Sequence, residues 1–222
     1  MNVDIISLFP DFFESPLKAS ILGRAIQKKL INVNCVDLRA FGEGARKKVD
    51  DKPYGGGPGM LLMPGPLVNA ILSVKKESSH IIYMSPQGKP LKSVDCEKFA
   101  SYEHLIIICG HYEGIDQRVI DEYVDEEVSI GDFILTSGMP AALCVVDALA
   151  RFIPQVLGDE MSNQTETFKD GGFEGPQYTK PVDFHGKTVP DVLLNGNHQK
   201  IAAWRASKAL EKMGKIRPDL LD

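Results

Sequence analysis

Apolar residues along this chain fall into two patterns that alternate with each other. Continuous or nearly continuous apolar runs are typical of buried strands, and they occur at residues 3–9, 81–84 and 105–109. Residues 31–38 contain β-branched residues in partial alternation, which also indicates a strand. Apolar residues spaced three or four apart indicate helices, at residues 13–30, 67–74, 94–100, 140–153 and 197–213. Because strands and helices alternate, we predict an α/β fold built on a largely parallel sheet.

Residues 154–181 interrupt this alternation with little periodicity and many Gly, Asn, Thr and Gln residues. Such a composition indicates a linker. The predicted helix that follows it, at residues 197–213, is amphipathic and has a basic face. Residues 154–181 would therefore separate one large domain from a small appendage.

The distribution of charge changes the first impression of possible partners. The 222 residues carry a net charge of −5, which disfavours a nucleic-acid binder because such proteins usually present a basic surface. However, residues 113–132 contain eight acidic residues and one basic residue. The remainder of the chain is therefore slightly positive, with basic residues grouped at positions 46–52 and on the last helix.

The cysteines and the chain start bear on the cellular compartment. The four cysteines, at positions 35, 96, 109 and 144, show no CxxC spacing, and two lie in apolar runs, as buried free thiols do. The first residues lack the basic and apolar regions of a signal peptide. No apolar run approaches the roughly 20 residues of a membrane span. We predict a cytoplasmic protein with no membrane association.

Three glycine-containing loops are expected at one edge of the sheet, at residues 85–88, 109–114 and 130–138. In open α/β sheets the ligand crevice lies at the carboxyl ends of the strands. Glycine lets the backbone approach a ligand closely. Each loop could be only a tight turn, but together they favour a site that holds an adenosine-like ligand by main-chain contacts.

Residues 54–60 form a denser glycine-rich segment, Tyr-Gly-Gly-Gly-Pro-Gly-Met. A phosphate-binding P-loop is disfavoured because the segment lacks the Gly-Lys-Ser/Thr that opens a helix. A flexible hinge is one alternative. Another is a cover over a flat ligand, with Tyr54 available to stack and the basic residues at 46–52 near phosphates.

Six ordered motifs carry a resemblance to a known family. Residues 49–60, 85–88, 109–116, 129–132, 151–154 and 196–198 resemble the signature of bacterial TrmD-type tRNA (guanine-N1)-methyltransferases. The resemblance runs in order from residue 5 to about residue 221. Any one of these motifs alone would be a weak signal.

The resemblance implies a SPOUT fold, a parallel-sheet α/β fold with a deep trefoil knot, over residues 1–158. The same resemblance implies a flexible linker at residues 159–180 and a small helical C-terminal domain at residues 181–222. It also implies a homodimer with the active site at the subunit interface. The expected reaction moves a methyl group from S-adenosylmethionine to N1 of the tRNA guanine at position 37, immediately 3′ of the anticodon. Family members usually need magnesium. The chain ends earlier than usual, so a minimal tRNA-binding domain is expected.

The chemistry of this reaction assigns roles to residues that match the family pattern. Guanine N1 carries a proton, so a general base is needed, and negative charge developing toward O6 calls for a cation. The resemblance assigns Arg151 to O6. It places Glu166 where the family has its aspartate base, with Asp170 as a second candidate. Glu113 could face the cofactor's amino group, a magnesium ion or the guanine.

The resemblance assigns the remaining site residues to two groups. The predicted cofactor-binding residues are Tyr83, Met84, Ser85, Pro86, Gly110, Tyr112, Gly114, Ile130, Gly131, Phe133, Leu135 and Gly138. The predicted tRNA-binding residues are Asp50, Tyr54, Gly56, Gly57, His198 and Lys208. No metal ligand is assigned.

This sequence departs from the family pattern at several positions. A Gly-Gly-Glu-Leu-Pro run is common after the third loop, whereas residues 136–140 read Thr-Ser-Gly-Met-Pro. Against that pattern, this sequence is one residue shorter and lacks the glutamate. Asn195 stands where serine is usual. Two other functions remain open: a nucleotide-phosphate enzyme that uses the glycine-rich loop, and a non-catalytic RNA-binding scaffold of the same fold that lost activity at Glu166.

Overall fold

The computed structural model describes residues 1–158, 167–168 and 172–221, and the chain divides into two units, Met1–Gly158 and Asp159–Asp222. The strands are β1 Asn2–Ser7, β2 Asn32–Asp37, β3 Asp50–Asp51, β4 Leu61–Leu62, β5 Ser79–Pro90, β6 His104–Cys109, β7 Glu126–Ser129, β8 Asp183–Phe184 and β9 Lys187–Thr188. The α-helices are α1 Glu14–Lys18, α2 Ser20–Gln27, α3 Pro64–Val74, α4 Ser93–Ala100, α5 Gln117–Tyr123, α6 Met139–Ala150 and α7 His198–Ile216.

The first unit is built on a five-stranded sheet in the order β2-β1-β6-β5-β7. Every pairing in this sheet is parallel, as the continuous apolar runs predicted. All six residues of β6 are buried, because this central strand has neighbours on both sides and helices on both faces.

Alternate side chains of each central strand enter two separate cores. In β6, Leu105 and Ile107 join the core that contains residues of α2, α4 and α6, whereas Ile106 and Ile108 join the core that contains residues of α3 and α5. This alternation follows from the two-residue period of a strand. The sheet is therefore covered by helices on both faces, and its carboxyl edge remains available for a site.

The helix predicted at residues 13–30 is interrupted. A short 3₁₀ helix, Pro10–Phe13, leads into α1, and Ala19 adopts an extended backbone before α2 begins. A Cβ atom on Gly23 would lie 2.5 Å from the Lys18 carbonyl carbon. Only glycine allows α2 to approach the end of α1 this closely. The helical spacing of apolar residues continues across the break between α1 and α2, so the spacing alone could not predict the break.

Three further elements differ from the sequence expectation. The predicted loop at residues 85–88 lies inside β5, which continues to Pro90 while its register against β7 shifts between Met84 and Lys89. Helix α5 and strand β7 were not predicted. Both lie in the acidic segment, and α5 buries only Val119, so the apolar signal there is weak.

The second unit contains the β8–β9 hairpin and α7. Helix α7 is capped by Asn197, whose side chain accepts a hydrogen bond from the Lys200 N–H at 3.1 Å. It buries only Ala209 and Met213. Among the residues that the structure describes, no helix is both long and apolar enough to cross a membrane.

Candidate active site

A cleft opens at the carboxyl edge of the sheet, beyond the ends of β6 and β7 and beside the register shift that follows Met84 in β5. All twelve residues predicted to bind the cofactor line it, and so does Glu113. Their common location was predictable because the three glycine-containing loops were expected together at the carboxyl edge of a parallel sheet. Sequence reasoning missed further lining residues in or next to the same segments, namely His111, Val128, Ser129, Ile134, Thr136, Ser137 and Ala141.

Two walls of the cleft are joined through their backbones. The Gly138 N–H donates a hydrogen bond to the Gly110 carbonyl oxygen at 2.8 Å, and His111 pairs with Ser137 in an isolated antiparallel bridge. A Cβ atom on Gly138 would lie 3.0 Å from the Gly110 nitrogen and 3.1 Å from the Cys109 Cα. Glycine at position 138 therefore permits the segment after β7 to return against the end of β6.

Tyr83 supports the loop that follows β6. Its hydroxyl oxygen lies 2.8 Å from the position a Cβ atom would take on Gly110 and 3.4 Å from that on Gly114. Burial, assisted by the nearby charge of Glu127, raises the pKa of Tyr83 to about 12. The phenol therefore stays protonated at neutral pH and available as a hydrogen-bond donor.

Tyr112 adopts an uncommon backbone conformation on the cleft wall. Its φ is 57°, a left-handed value that residues other than glycine rarely adopt. Its N–H donates a hydrogen bond to His111 Nδ1 at 2.9 Å. Burial raises the pKa of Tyr112, and the charge of Asp50 raises it further. Asp50, predicted to act on the substrate side, therefore lies within electrostatic range of the cleft wall.

Glu113 connects the cleft with the glycine-rich segment. Its backbone N–H donates to the Met60 carbonyl oxygen at 3.0 Å, and the Leu62 N–H donates to the Gly114 carbonyl oxygen at 3.0 Å. A Cβ atom on Gly59, whose φ is 77°, would lie 2.4 Å from Glu113 Cγ. The Glu113 side chain thus lies against the glycine-rich segment, exposed at the rim of the cleft.

The tip of the glycine-rich segment stands away from the cleft. Tyr54 is fully exposed, and neither it nor Gly56 and Gly57 line the cleft. The two glycines have φ values of 80° and 120°, and a Cβ atom on either would meet nothing within 4 Å. These residues are thus displayed on open surface where a large substrate can reach them.

The predicted catalytic pair is not brought together within the described part of the chain. Arg151 is half-buried at the C-cap of α6 and is not a lining residue of the cleft. Glu166 and Asp170 lie outside the described residues. Within the described ranges, no three His, Cys, Asp or Glu side chains are grouped as metal ligands would be, so the magnesium expectation gains no support there.

The predicted tRNA-binding residues of the second unit lie on α7. His198 is the first residue of the helix and is exposed. Lys208 Nζ lies 2.7 Å from Glu211 Oε2, and Lys215 Nζ lies 2.7 Å from Glu211 Oε1. The charge of Lys208 is therefore partly compensated, which the basic appearance of the helix did not indicate.

A family model described as tRNA (Guanine-1)-methyltransferase TrmD matches residues 1–222. This chain belongs to the TrmD family. The resemblance inferred from six motifs is thereby confirmed across the whole sequence.

Curated relatives agree with this assignment. The chain is 52% identical over 221 residues to the tRNA (guanine-N(1)-)-methyltransferase of Protochlamydia amoebophila, covering 100% of both chains. It is 54% identical over 220 residues to the enzyme of the same name from Chlamydia trachomatis serovar D, covering 99% of this chain and 62% of that relative. The match to the Chlamydia pneumoniae enzyme is 52% identical and covers 99% and 61%. The chain thus spans about three fifths of the Chlamydia TrmD proteins.

Proposed function

We propose that this protein transfers a methyl group from S-adenosylmethionine to N1 of the guanine at position 37 of tRNA, immediately 3′ of the anticodon. The observation that carries the proposal is the cleft at the carboxyl edge of the sheet, lined by all twelve residues that the family resemblance assigned to the cofactor. The TrmD relatives bear methyltransferase names, which favours this reaction over a nucleotide-phosphate enzyme and over a non-catalytic RNA-binding scaffold.

The residues of the cleft suit this cofactor. Gly110 and Gly138 leave no room for a Cβ atom, so the backbone itself forms that part of the wall, and its polar groups can meet the edge of a nucleoside. Apolar side chains such as Ile130, Phe133 and Leu135 can cover the flat faces of a purine. The Glu113 carboxylate at the rim can meet an ammonium group. When bound, the cofactor supplies a methyl group that its sulfonium has already activated.

The task left to the protein is to position the guanine and to increase its nucleophilicity. A carboxylate that accepts the N1 proton generates the nucleophile, and we assign this role to Glu166, with Asp170 as the second candidate. The guanidinium of Arg151 offsets the negative charge that develops on O6, since arginine keeps its charge at any physiological pH.

We further propose that the site is completed by a second copy of the chain in a homodimer. Arg151 does not line the cleft of its own chain, which supports a site built from two subunits. The return of the chain after β7 to the end of β6, at Gly138, supports the deep trefoil knot of the SPOUT fold. Magnesium remains part of this proposal only through the family resemblance.

The domain roles belong to the same proposal. Residues 1–158 would form the catalytic domain, 159–180 a flexible linker, and 181–222 a small helical domain that grips the tRNA. The exposed Tyr54, Gly56 and Gly57, the nearby Asp50, and His198 and Lys208 on α7 would meet the RNA. A cytoplasmic location fits the four free cysteines.

A tritium-transfer assay with unmodified tRNA transcripts tests the reaction. We expect label from S-adenosyl-[methyl-³H]methionine to enter a transcript that has guanosine at position 37, and no label to enter the matched transcript with adenosine there. Folded protein that labels neither transcript would contradict the proposal.

The variant Glu166→Gln tests which carboxylate is the base. If Glu166→Gln keeps the wild-type rate, Glu166 is not the base, and Asp170→Asn becomes the next variant to measure.

A further inference from the structure

Ser137 carries a buried hydroxyl group whose donor capacity is not used within the protein. The residue is only 9% exposed and lines the cleft. Its Oγ accepts a hydrogen bond from the Met139 N–H at 3.4 Å. Among the residues that the structure describes, no acceptor is within hydrogen-bond distance for the hydroxyl proton of Ser137. A buried donor without an acceptor is costly, and in native proteins it calls for an explanation.

A neighbouring serine shows what complete pairing looks like at the same cleft. Ser129 is 4% exposed. Its Oγ donates to the Gly131 carbonyl oxygen at 3.1 Å and accepts from the Gly131 N–H at 3.2 Å. Ser129 therefore stabilises its own loop and has no donor left for a ligand. Ser137 uses only its acceptor side, so its donor remains available to whatever fills the cleft.

The surroundings of Ser137 indicate the chemistry of that acceptor. The adjacent Gly138 would place a Cβ atom 3.2 Å from the Met84 Cβ, and Ala141, one helical turn further, also lines the cleft. These groups are apolar and uncharged. Apolar neighbours beside an unpaired hydroxyl donor suit a flat, neutral ring with an acceptor nitrogen on its edge better than they suit a charged group.

We propose that the Ser137 hydroxyl donates a hydrogen bond to a ring nitrogen of the cofactor's purine and so contributes to the choice of cofactor. This inference rests on the proposed function, because that function supplies the purine. It adds a side-chain contact to a wall that the backbone otherwise forms. The Ser137 side chain is suited to a specific test because its backbone bridge to His111 does not involve the hydroxyl.

The test measures the dissociation constant of S-adenosylhomocysteine by calorimetry for the wild type and Ser137→Ala. The variant keeps the Cβ atom and loses only the hydroxyl, so we expect binding to weaken roughly five- to tenfold, the size of one net hydrogen bond. Ser101→Ala is the matched control. Its exposed hydroxyl donates to the Lys98 carbonyl oxygen, on α4 and outside the cleft, so affinity should not change.

Three analogues of the ligand identify the acceptor: the 1-deaza, 3-deaza and 7-deaza forms of S-adenosylhomocysteine. We expect wild type and Ser137→Ala to bind one of them equally, because that analogue lacks the partner nitrogen, and to differ for the other two. The inference is overturned if Ser137→Ala binds all three analogues more weakly than the wild type by the same factor. It is also overturned if Ser137→Ala binds S-adenosylhomocysteine itself as tightly as the wild type. The analogues probe the wild type directly, so the test also works if the variant folds poorly. Failure of the wild type to bind S-adenosylhomocysteine would instead overturn the proposed function.

Discussion

His104 Nε2 lies 2.6 Å from Asp4 Oδ2 at the amino edge of the parallel sheet, opposite the cleft. His104 is 1% exposed, and its Nδ1 lies 2.7 Å from Ser79 Oγ. Both ring nitrogens of a buried histidine are therefore engaged by residues from two other strands. The arrangement links β1, β5 and β6 by side chains at the edge that has no part in the proposed reaction.

Removing the carboxylate should destabilise the fold without affecting the cleft. Asp4→Ala leaves a buried imidazole nitrogen without a partner, so we expect the free energy of unfolding in urea to fall by about 1–3 kcal/mol. Asn2→Ala is the control on the same strand, because its contact with Asn32 is long and exposed; it should cost well below 1 kcal/mol. The affinity for S-adenosylhomocysteine should be unchanged in both variants. Weaker binding by Asp4→Ala alone would show that the amino edge of the sheet affects the cleft at the carboxyl edge.

Gly138→Ala should disturb the cleft directly. The added Cβ would meet backbone atoms of Cys109 and Gly110 at about 3 Å, and backbone cannot move aside as a side chain can. We expect a loss of about 1–3 kcal/mol in stability and a clear weakening of S-adenosylhomocysteine binding by calorimetry. Gly158→Ala adds the same methyl group in open space and should bind like the wild type. Equal binding by the two variants would contradict the tight crossing at Gly138.

Gly59→Ala tests the contact between the glycine-rich segment and Glu113. The new Cβ would lie 2.4 Å from Glu113 Cγ, whereas Gly55→Ala meets nothing within 4 Å. Both positions have positive φ, so both variants incur similar backbone strain of about 1–2 kcal/mol. The difference between them isolates the displacement of Glu113. We expect kcat/KM for methyl transfer to fall further in Gly59→Ala; equal values would mean that the position of Glu113 is unimportant.

Asp116 should make the stability of the fold depend on pH. Its side chain caps α5 by accepting from the Arg118 N–H at 3.0 Å, and the hydrogen bond from the Arg118 side chain holds the pKa of Asp116 below its ordinary value of 3.8. Because the folded pKa is lower than the unfolded one, this contribution is fully present above about pH 4 and is lost as pH falls through the folded value.

Two variants separate the cap from the charge. Asp116→Ala removes both and should cost about 0.5–2 kcal/mol at pH 7, whereas Asp116→Asn keeps a capping oxygen and should cost less. In urea denaturation between pH 7 and pH 3, the gap between wild type and Asp116→Asn should narrow as the medium becomes acidic. A gap that stays constant over this range would show that the Arg118 charge contributes nothing.

The lysines of α7 should contribute unequally to tRNA binding. Hydrogen bonds with Lys208 and then Lys215 lower the pKa of Glu211 to about 2, so Glu211 stays ionised and compensates their charge at any working pH. Lys212 meets no carboxylate among the described residues. Lys212→Ala should therefore reduce the slope of log K against log[salt] by roughly 0.7–0.9, and Lys208→Ala by less.

Glu211→Gln and the lysine double variant complete this comparison. Glu211→Gln frees two cations, so tRNA should bind more tightly at low salt and with a steeper slope, measured by filter binding. Removing Lys208 and Lys212 together should weaken binding and flatten the slope. An unchanged slope in the double variant would place the RNA elsewhere than α7.

The sheet and the cleft were predictable because their signals lie in short stretches of contiguous sequence. The apolar run at residues 105–109 nearly coincides with β6, and parallel strands place the loops after their carboxyl ends side by side. The crossing of Gly138 against Gly110 was not predictable, because it joins segments that are distant in sequence and depends on space for a Cβ atom. The continuation of β5 past Met84 depends on pairing with β7, whose acidic sequence conceals a strand. The Lys208–Glu211 pair, by contrast, lies within one helical turn and could have been inferred.

The crossing at Gly138 has a consequence for the order of events during protein synthesis. Strands β1, β5 and β6 precede residue 110, so most of the sheet can assemble while the ribosome is still extending the chain. The far wall of the cleft arrives only with residues 130–141, after β7. A nascent chain stopped before residue 138 would have a nearly complete sheet and no finished cleft. Retention of S-adenosylhomocysteine by stalled nascent chains of increasing length would therefore show at which length this domain completes its fold.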